Sequence, residues 1–102
     1  MRFEWDARKD RLNQAKHGGI GFEIAIRVFD DPLCLYRVDR NVDGEARWHA
    51  IGSVMFGPSR SAVLLVTHAY REYVDGEETI RIISARQAGK DDVRRYQEQE
   101  AD

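Results

Sequence analysis

Hydrophobic residues along the chain change their period several times, and each change marks an element. Phe3 and Trp5 alternate with polar neighbours over Arg2 to Trp5, which predicts a short strand with both aromatics on one face. Asp6 then offers an N-cap for a helix running to about Lys16, with Leu12 and Ala15 as its inward residues. Gly18-Gly19 stops that helix. Phe22, Ala25, Ile26 and Phe29 follow the i, i+3, i+4, i+7 spacing of a second amphipathic helix, which ends at Asp30-Asp31-Pro32. Beyond Pro32 the pattern becomes extended. Cys34 to Val38 reads as a strand, Asp39 to Gly44 as a polar turn, and Arg47 to Val54 as the returning strand. After a turn at Gly57-Pro58-Ser59, the continuous apolar run Ala62 to Val66 fits a central strand covered on both faces. Asp75-Gly76 turns the chain into a strand from Thr79 to Ala85. A last helix begins near Gly89, with Asp91 and Asp92 in its first turn, an apolar contact between Val93 and Tyr96, and fraying beyond Glu98. The expected architecture is α+β: two N-terminal helices packed on a mostly antiparallel four-stranded sheet, followed by a C-terminal helix.

Ile80-Arg81-Ile82-Ile83-Ser84-Ala85-Arg86 combines strong strand formers with two guanidinium groups. In a regular strand Ile80, Ile82, Ser84 and Arg86 face one way while Thr79, Arg81, Ile83 and Ala85 face the other. The two arginines can serve one site only if the strand ends or bulges near Ser84 and Ala85.

At 102 residues and 42% apolar content the chain fits a single domain, residues 1–102, with one core. Sixteen basic and 18 acidic residues give a net charge of −2, which argues against coating of nucleic acid and leaves room for a local basic site. The single Cys34 cannot form an internal disulfide, and the N-terminus carries acids where an export signal needs an apolar core. A cytoplasmic protein with no membrane span is expected.

His17, His49, His68 and Cys34 lack the spacing of a zinc site, so neither a metal nor another cofactor is expected. Gly18-Gly19 lacks the spacing of a phosphate loop, and Cys34 reads as an inert strand thiol. Trp5, Trp48, Phe22 and Phe29 read most simply as core, with base stacking by Trp48 as the alternative. What remains is Lys16, His17, Glu23, Arg47, Arg81 and Arg86. Such residues suit metal-free RNA cleavage, in which a carboxylate or histidine moves protons while cations stabilise charge on the attacked phosphate.

Several segments, in order, resemble the BrnT-type toxins of bacterial type II toxin–antitoxin systems. They are Phe3-Glu4-Trp5-Asp6 with Lys9 and Asn13, Lys16-His17-Gly18, Phe22-Glu23 with Ala25, Val28-Phe29-Asp30-Asp31-Pro32, Arg47 with Ile51-Gly52, and Ile80 to Arg86 with Tyr96. The resemblance implies a RelE-like fold and a metal-independent endoribonuclease that arrests translation. It also implies neutralisation by a ribbon-helix-helix antitoxin in a hetero-oligomer, through which alone operator DNA is bound. By position Glu23 or His17 would transfer protons, Arg47, Arg81 and Lys16 would bind the phosphate, and Arg86, Ser84 and Trp48 would contact the RNA. Gly21 and Gly89 stand where relatives usually carry helix caps, so weaker helix starts are expected, and His68 to Glu78 reads as an extended hairpin. The rival function is an inactive interaction module that retains antitoxin binding in a DNA-bound repressor complex. Free expression without a neighbouring antitoxin gene would distinguish it.

Overall fold

The computed structural model describes residues 1–100, with side chains for 1–71 and 75–99. Arg2–Glu4 forms strand β1, and Asp6 caps helix α1 (Ala7–Lys16) by accepting hydrogen bonds from the Arg8 and Lys9 amides at 2.8 and 3.1 Å. Gly18 and Gly19 take φ of +63° and +85°, the left-handed geometry that the double glycine promised. Helix α2 is a single α-turn, Phe22–Ala25, continued by a 3-10 segment from Ile26 to Asp30. The expected weak start at Gly21 is made good from elsewhere, because the Asp10 carboxylate of α1 accepts from the Phe22 amide at 2.8 Å.

Strands β2 (Leu35–Val42) and β3 (Glu45–Met55) are longer than expected, because the turn between them contracts to Asp43-Gly44, both at positive φ. Strand β4 (Ser61–Val74) pairs with β5 (Glu77–Gln87) as the extended hairpin expected there. Helix α3 runs from Lys90 to Glu100, so Gln99 and Glu100 are helical where fraying was expected, with Gln99 Nε2 donating to the Leu33 carbonyl at 2.7 Å, and residues 101–102 lie outside the described residues.

The sheet has five strands in the order β1-β5-β4-β3-β2, which corrects the expectation of four. The fifth is β1, which adds to the edge of β5 in parallel, with Phe3 opposite Ile80, while the other pairings are antiparallel. Three residues sufficed for that strand because Phe3 packs against the core and onto the Phe29 ring at 5.3 Å.

One sheet face carries Ala50, Val54, Leu64, Val66, Ile80, Ile82 and Ala85, all buried beneath Phe22, Ala25 and Val28. Gly52 lets the 3-10 segment approach this face: a Cβ there would lie 3.0 Å from the Val28 Cβ. The opposite face holds a smaller cluster of Ile51, Leu65 and Tyr96, so α3 covers only part of it. Asp31 ties α3 down, accepting from the Leu33 and Ser53 amides at 2.9 and 2.8 Å and from the Tyr96 hydroxyl.

Helix α1 contradicts the expected inward face. Leu12 is 59% exposed and Ala15 is exposed, whereas Asn13 is buried. Strand β1 covers only Thr79 to Arg81 of β5, so the backbone farther along that edge needs another partner. Asn13 supplies it: Nδ2 donates to the carbonyls of Ala85 and Ile20 at 2.7 and 3.0 Å, and Oδ1 accepts from the Ala85 amide at 3.1 Å. Among the described residues no helix is long and apolar enough to cross a membrane.

Candidate functional site

The β5 strand does bulge. Thr67 pairs with Ser84 and the next residue, His68, pairs with Ile82, so Ile83 is the extra residue on β5. The alternation resets there. Ala85 joins Ile80 and Ile82 in the helix-covered core, while Arg81, Ser84 and Arg86 share the opposite face.

On that face Arg81 lies opposite Ala69 of β4, and Arg47 of β3 falls on the other side of Ala69, one residue beyond the Trp48–His68 pair. Ala69 is fully buried and its methyl group leaves the space between two long side chains open. Both guanidinium groups turn onto Glu45, Arg81 through a hydrogen-bonded ion pair and Arg47 with Nε 3.8 Å from the carboxylate. Their side chains are only 20% and 26% exposed, and the Nε atoms of both are buried without a hydrogen-bond partner among the described residues. Two half-buried cations thus share one carboxylate, leaving a local excess of positive charge on this face.

Farther along the same face, His49 stands in register with Thr67, which is in register with Ser84. Arg37 donates from Nε to the His49 Nδ1 at 3.1 Å and holds Asp92 of α3 with two bonds of 2.6 and 3.0 Å. Because Nδ1 accepts from Arg37, the neutral ring carries its proton on Nε2, which lies 3.4 Å from the Asp39 carboxylate. Burial lowers the His49 pKa and the Arg37 and Arg86 cations lower it further, against the opposing pull of Asp39 and Asp92. The Asp92 pKa is lowered chiefly by its hydrogen bond from Arg37.

The other expected site residues are distributed differently. Trp48 lies on the helix-side face, its ring 6.0 Å from Tyr70 in an edge contact. Lys16 and Glu23 are exposed at the helix ends, and His17 lines a cavity of about 580 Å³ between the glycine turn and the end of β5. Arg86 lines that cavity as well, so it is the residue through which the helix-end set and the sheet face meet. Arg47, Arg81, Ser84 and Arg86 are therefore brought to one face, whereas Lys16, His17, Glu23 and Trp48 are not part of the Arg47–Glu45–Arg81 group.

Glu45, His49 and Arg37 escaped the sequence reading of this face. Glu45 falls just before the strand expected from Arg47, yet it lies two residues ahead of that arginine, the spacing that puts both on one face once β3 is extended. Burial pushes the Cys34 thiol up to about 11, in keeping with an inert cysteine. Among the described residues no group of three or more His, Cys, Asp and Glu side chains is placed to hold a metal ion.

The chain is thus a small α+β protein whose partly covered sheet face gathers arginines around a half-buried carboxylate, a local cationic site on a chain of net charge −2. The particular family follows from comparison. Residues 5–92 match the family described as the ribonuclease toxin, BrnT, of type II toxin-antitoxin systems, and the chain belongs to that family. No curated protein matches it. Membership makes the chain a ribonuclease toxin of such a system, whose counterpart is an antitoxin.

Proposed function

We propose that this chain is a single RelE-like toxin domain that cleaves RNA without a metal ion, on the sheet face bearing Arg47 and Arg81. The observation that carries this reading is the convergence of both guanidinium groups on Glu45 across Ala69. A scissile phosphate takes the anionic position next to Glu45 and is held by the exposed parts of both guanidinium groups, whose side chains are 20% and 26% exposed. Glu45 then accepts the proton of the neighbouring 2′-hydroxyl as its oxygen attacks phosphorus. The new O2′–P bond replaces the P–O5′ bond, leaving a 2′,3′-cyclic phosphate, and the departing 5′-oxygen takes a proton from water. Arg47 and Arg81 offset the charge gathering on the phosphate oxygens. Ser84 and Arg86, on the same face, contact the RNA beyond the cleaved bond.

This assignment moves proton transfer from His17 and Glu23 to Glu45, since those two stand apart from the arginine pair. In the cell the activity would arrest translation in the cytoplasm until a ribbon-helix-helix antitoxin binds and carries the pair to operator DNA. The test is cleavage of end-labelled RNA by purified chain in EDTA, beside Arg81→Ala and Glu45→Gln. Removing one electrostatic donor costs about 3 kcal/mol, so a rate loss of about 10²-fold is expected for Arg81→Ala. Each variant should also relieve growth arrest on induced expression. Intact RNA and normal growth with the wild-type chain would replace this reading by the inactive interaction module.

A further inference from the structure

We propose that the cavity between the His17–Ile20 turn and the end of β5 is a nucleotide-binding pocket that seats one residue of the RNA beyond the cleaved bond. The inference rests on the ribonuclease reading and gives that reaction a second, specificity-determining site. The cavity, at about 580 Å³, has the size of a small-molecule pocket. Its lining combines the His17 imidazole and the Arg60 and Arg86 cations with an apolar surface from Ile24 and Phe56, and contains no carboxylate. A phosphate and a flat base need that combination: guanidinium forks for the first and an aromatic surface for the second.

Both arginines are available. The Arg60 guanidinium has no hydrogen-bond or ion-pair partner among the described residues, and that of Arg86 makes one bond of 3.3 Å, to the Gln87 carbonyl. Gly18 and Gly19 add no side chains to the mouth, and the space around them is open. The walls are also fixed in advance. Asn13 bonds to Ile20 on one side and to Ala85, just before Arg86, on the other, so a single buried amide sets the width of the pocket.

Arg86 gives the pocket its relation to the cleavage site. It lines the cavity, acts electrostatically on His49 of the arginine-bearing face, and follows Arg81 by about 15 Å of strand. An RNA strand running along β5 from Arg81 past Ser84 reaches the pocket without crossing the sheet. His17, and Lys16 before it, then serve recognition of the substrate.

The experiment titrates the intact chain with AMP, GMP, CMP and UMP, following backbone amide resonances by NMR. It then measures RNA cleavage by Arg60→Ala and Phe56→Leu. At least one nucleotide should shift the amides of Gly18, Gly19 and Gln87. Arg60→Ala should weaken that binding and reduce its salt slope by roughly one. In cleavage, Arg60→Ala should raise KM roughly tenfold with kcat nearly unchanged, and Phe56→Leu should redistribute the cut sites. Nucleotides that leave these amides unmoved while RNA is still cut would overturn the pocket and spare the ribonuclease reading. Amides perturbed by an antitoxin but by no nucleotide would overturn the pocket in the same way. Nucleotide binding at the pocket in a chain that cuts no RNA would instead overturn the ribonuclease reading, and with it the pocket's role beside a cleaved bond.

Discussion

Replacing Asn13 should destabilise the fold far more than replacing its exposed helical neighbours, although it is a polar residue on a helix of almost wholly polar surface. Its amide makes three hydrogen bonds of 2.7, 3.0 and 3.1 Å to the backbone of Ala85 and Ile20, and the residue is 8% exposed. A buried hydrogen bond contributes about 0.5–1.5 kcal/mol net, so the three together are worth roughly 2–4 kcal/mol. Asn13→Ala leaves one N–H and two carbonyl oxygens without partners. With a urea slope of about 1.5 kcal/mol/M, the midpoint should fall by about 2 M, read from tryptophan fluorescence. Asn13→Asp sharpens the test. Its carboxylate can accept from Ala85 but presents charge to two carbonyl oxygens, so at pH 7 it should be at least as unstable as the alanine variant. Protonation restores one donor, and the gap to the wild-type chain should narrow in acid. A midpoint shift below about 0.5 M for Asn13→Ala would refute the reasoning, showing that water replaces the amide at little cost.

Three further outcomes follow from the packing and the titrating groups. Gly52→Ala places a Cβ 3.0 Å from the Val28 Cβ and 3.1 Å from its carbonyl oxygen, and should cost about 1–3 kcal/mol. Alanine at position 28 keeps the Cβ, Cα and carbonyl oxygen that make this contact, so Val28→Ala should not recover the loss, and a cost below about 0.5 kcal/mol for Gly52→Ala in urea unfolding would reject the clash. Tyr96→Phe removes the hydroxyl that donates to Asp31 and should cost about 2 kcal/mol in urea unfolding; no loss would show that α3 is held by apolar contact alone. Burial lowers the pKa of His68, as it does that of His49, below the ordinary 6.5, so unfolding takes up protons near neutral pH. Stability is then fully present above about pH 6.5 and falls as pH drops through the lower folded-state values. NMR titration midpoints for both rings at or above 6.5 would contradict this.

Much of the fold was legible because local chemistry and tertiary demand agreed. Asp6 caps α1, the two glycines at 18 and 19 turn left-handed, and Asp75-Gly76 closes the long hairpin, each for reasons contained within a few residues. Helix α1 could not be read this way. Its inward residue was chosen by the unpaired edge of β5, some 72 positions away, and a polar Asn served that edge where Leu12 could not. Capping of α2 was hidden for the same reason, since Asp10 reaches it from another helix. In the site, Arg47 and Arg81 stood out as cations on strands, but their meeting depended on the sheet order and on Ala69, whose small size signals nothing in sequence. Glu45 was hidden beside a turn that proved to be only two residues long.

The bulge at Ile83 shows how one residue joins fold to site. Without it, Ser84 and Arg86 would follow Ile80 and Ile82 onto the helix-covered face, and Ala85 would take the face of Arg81. That arrangement would bury a guanidinium beneath α1 and leave a methyl group where the polar face needs a contact. With the extra residue in place, the apolar set Ile80, Ile82 and Ala85 stays continuous under the helices, while Arg81, Ser84 and Arg86 stay continuous on the other side. The same residue aligns the Ala85 amide and carbonyl with Asn13, so the closure of the β5 edge and the alignment of the arginines depend on one register shift. Core packing, edge satisfaction and the cationic face thus constrain the same seven-residue segment from three directions, and a regular strand would break all three.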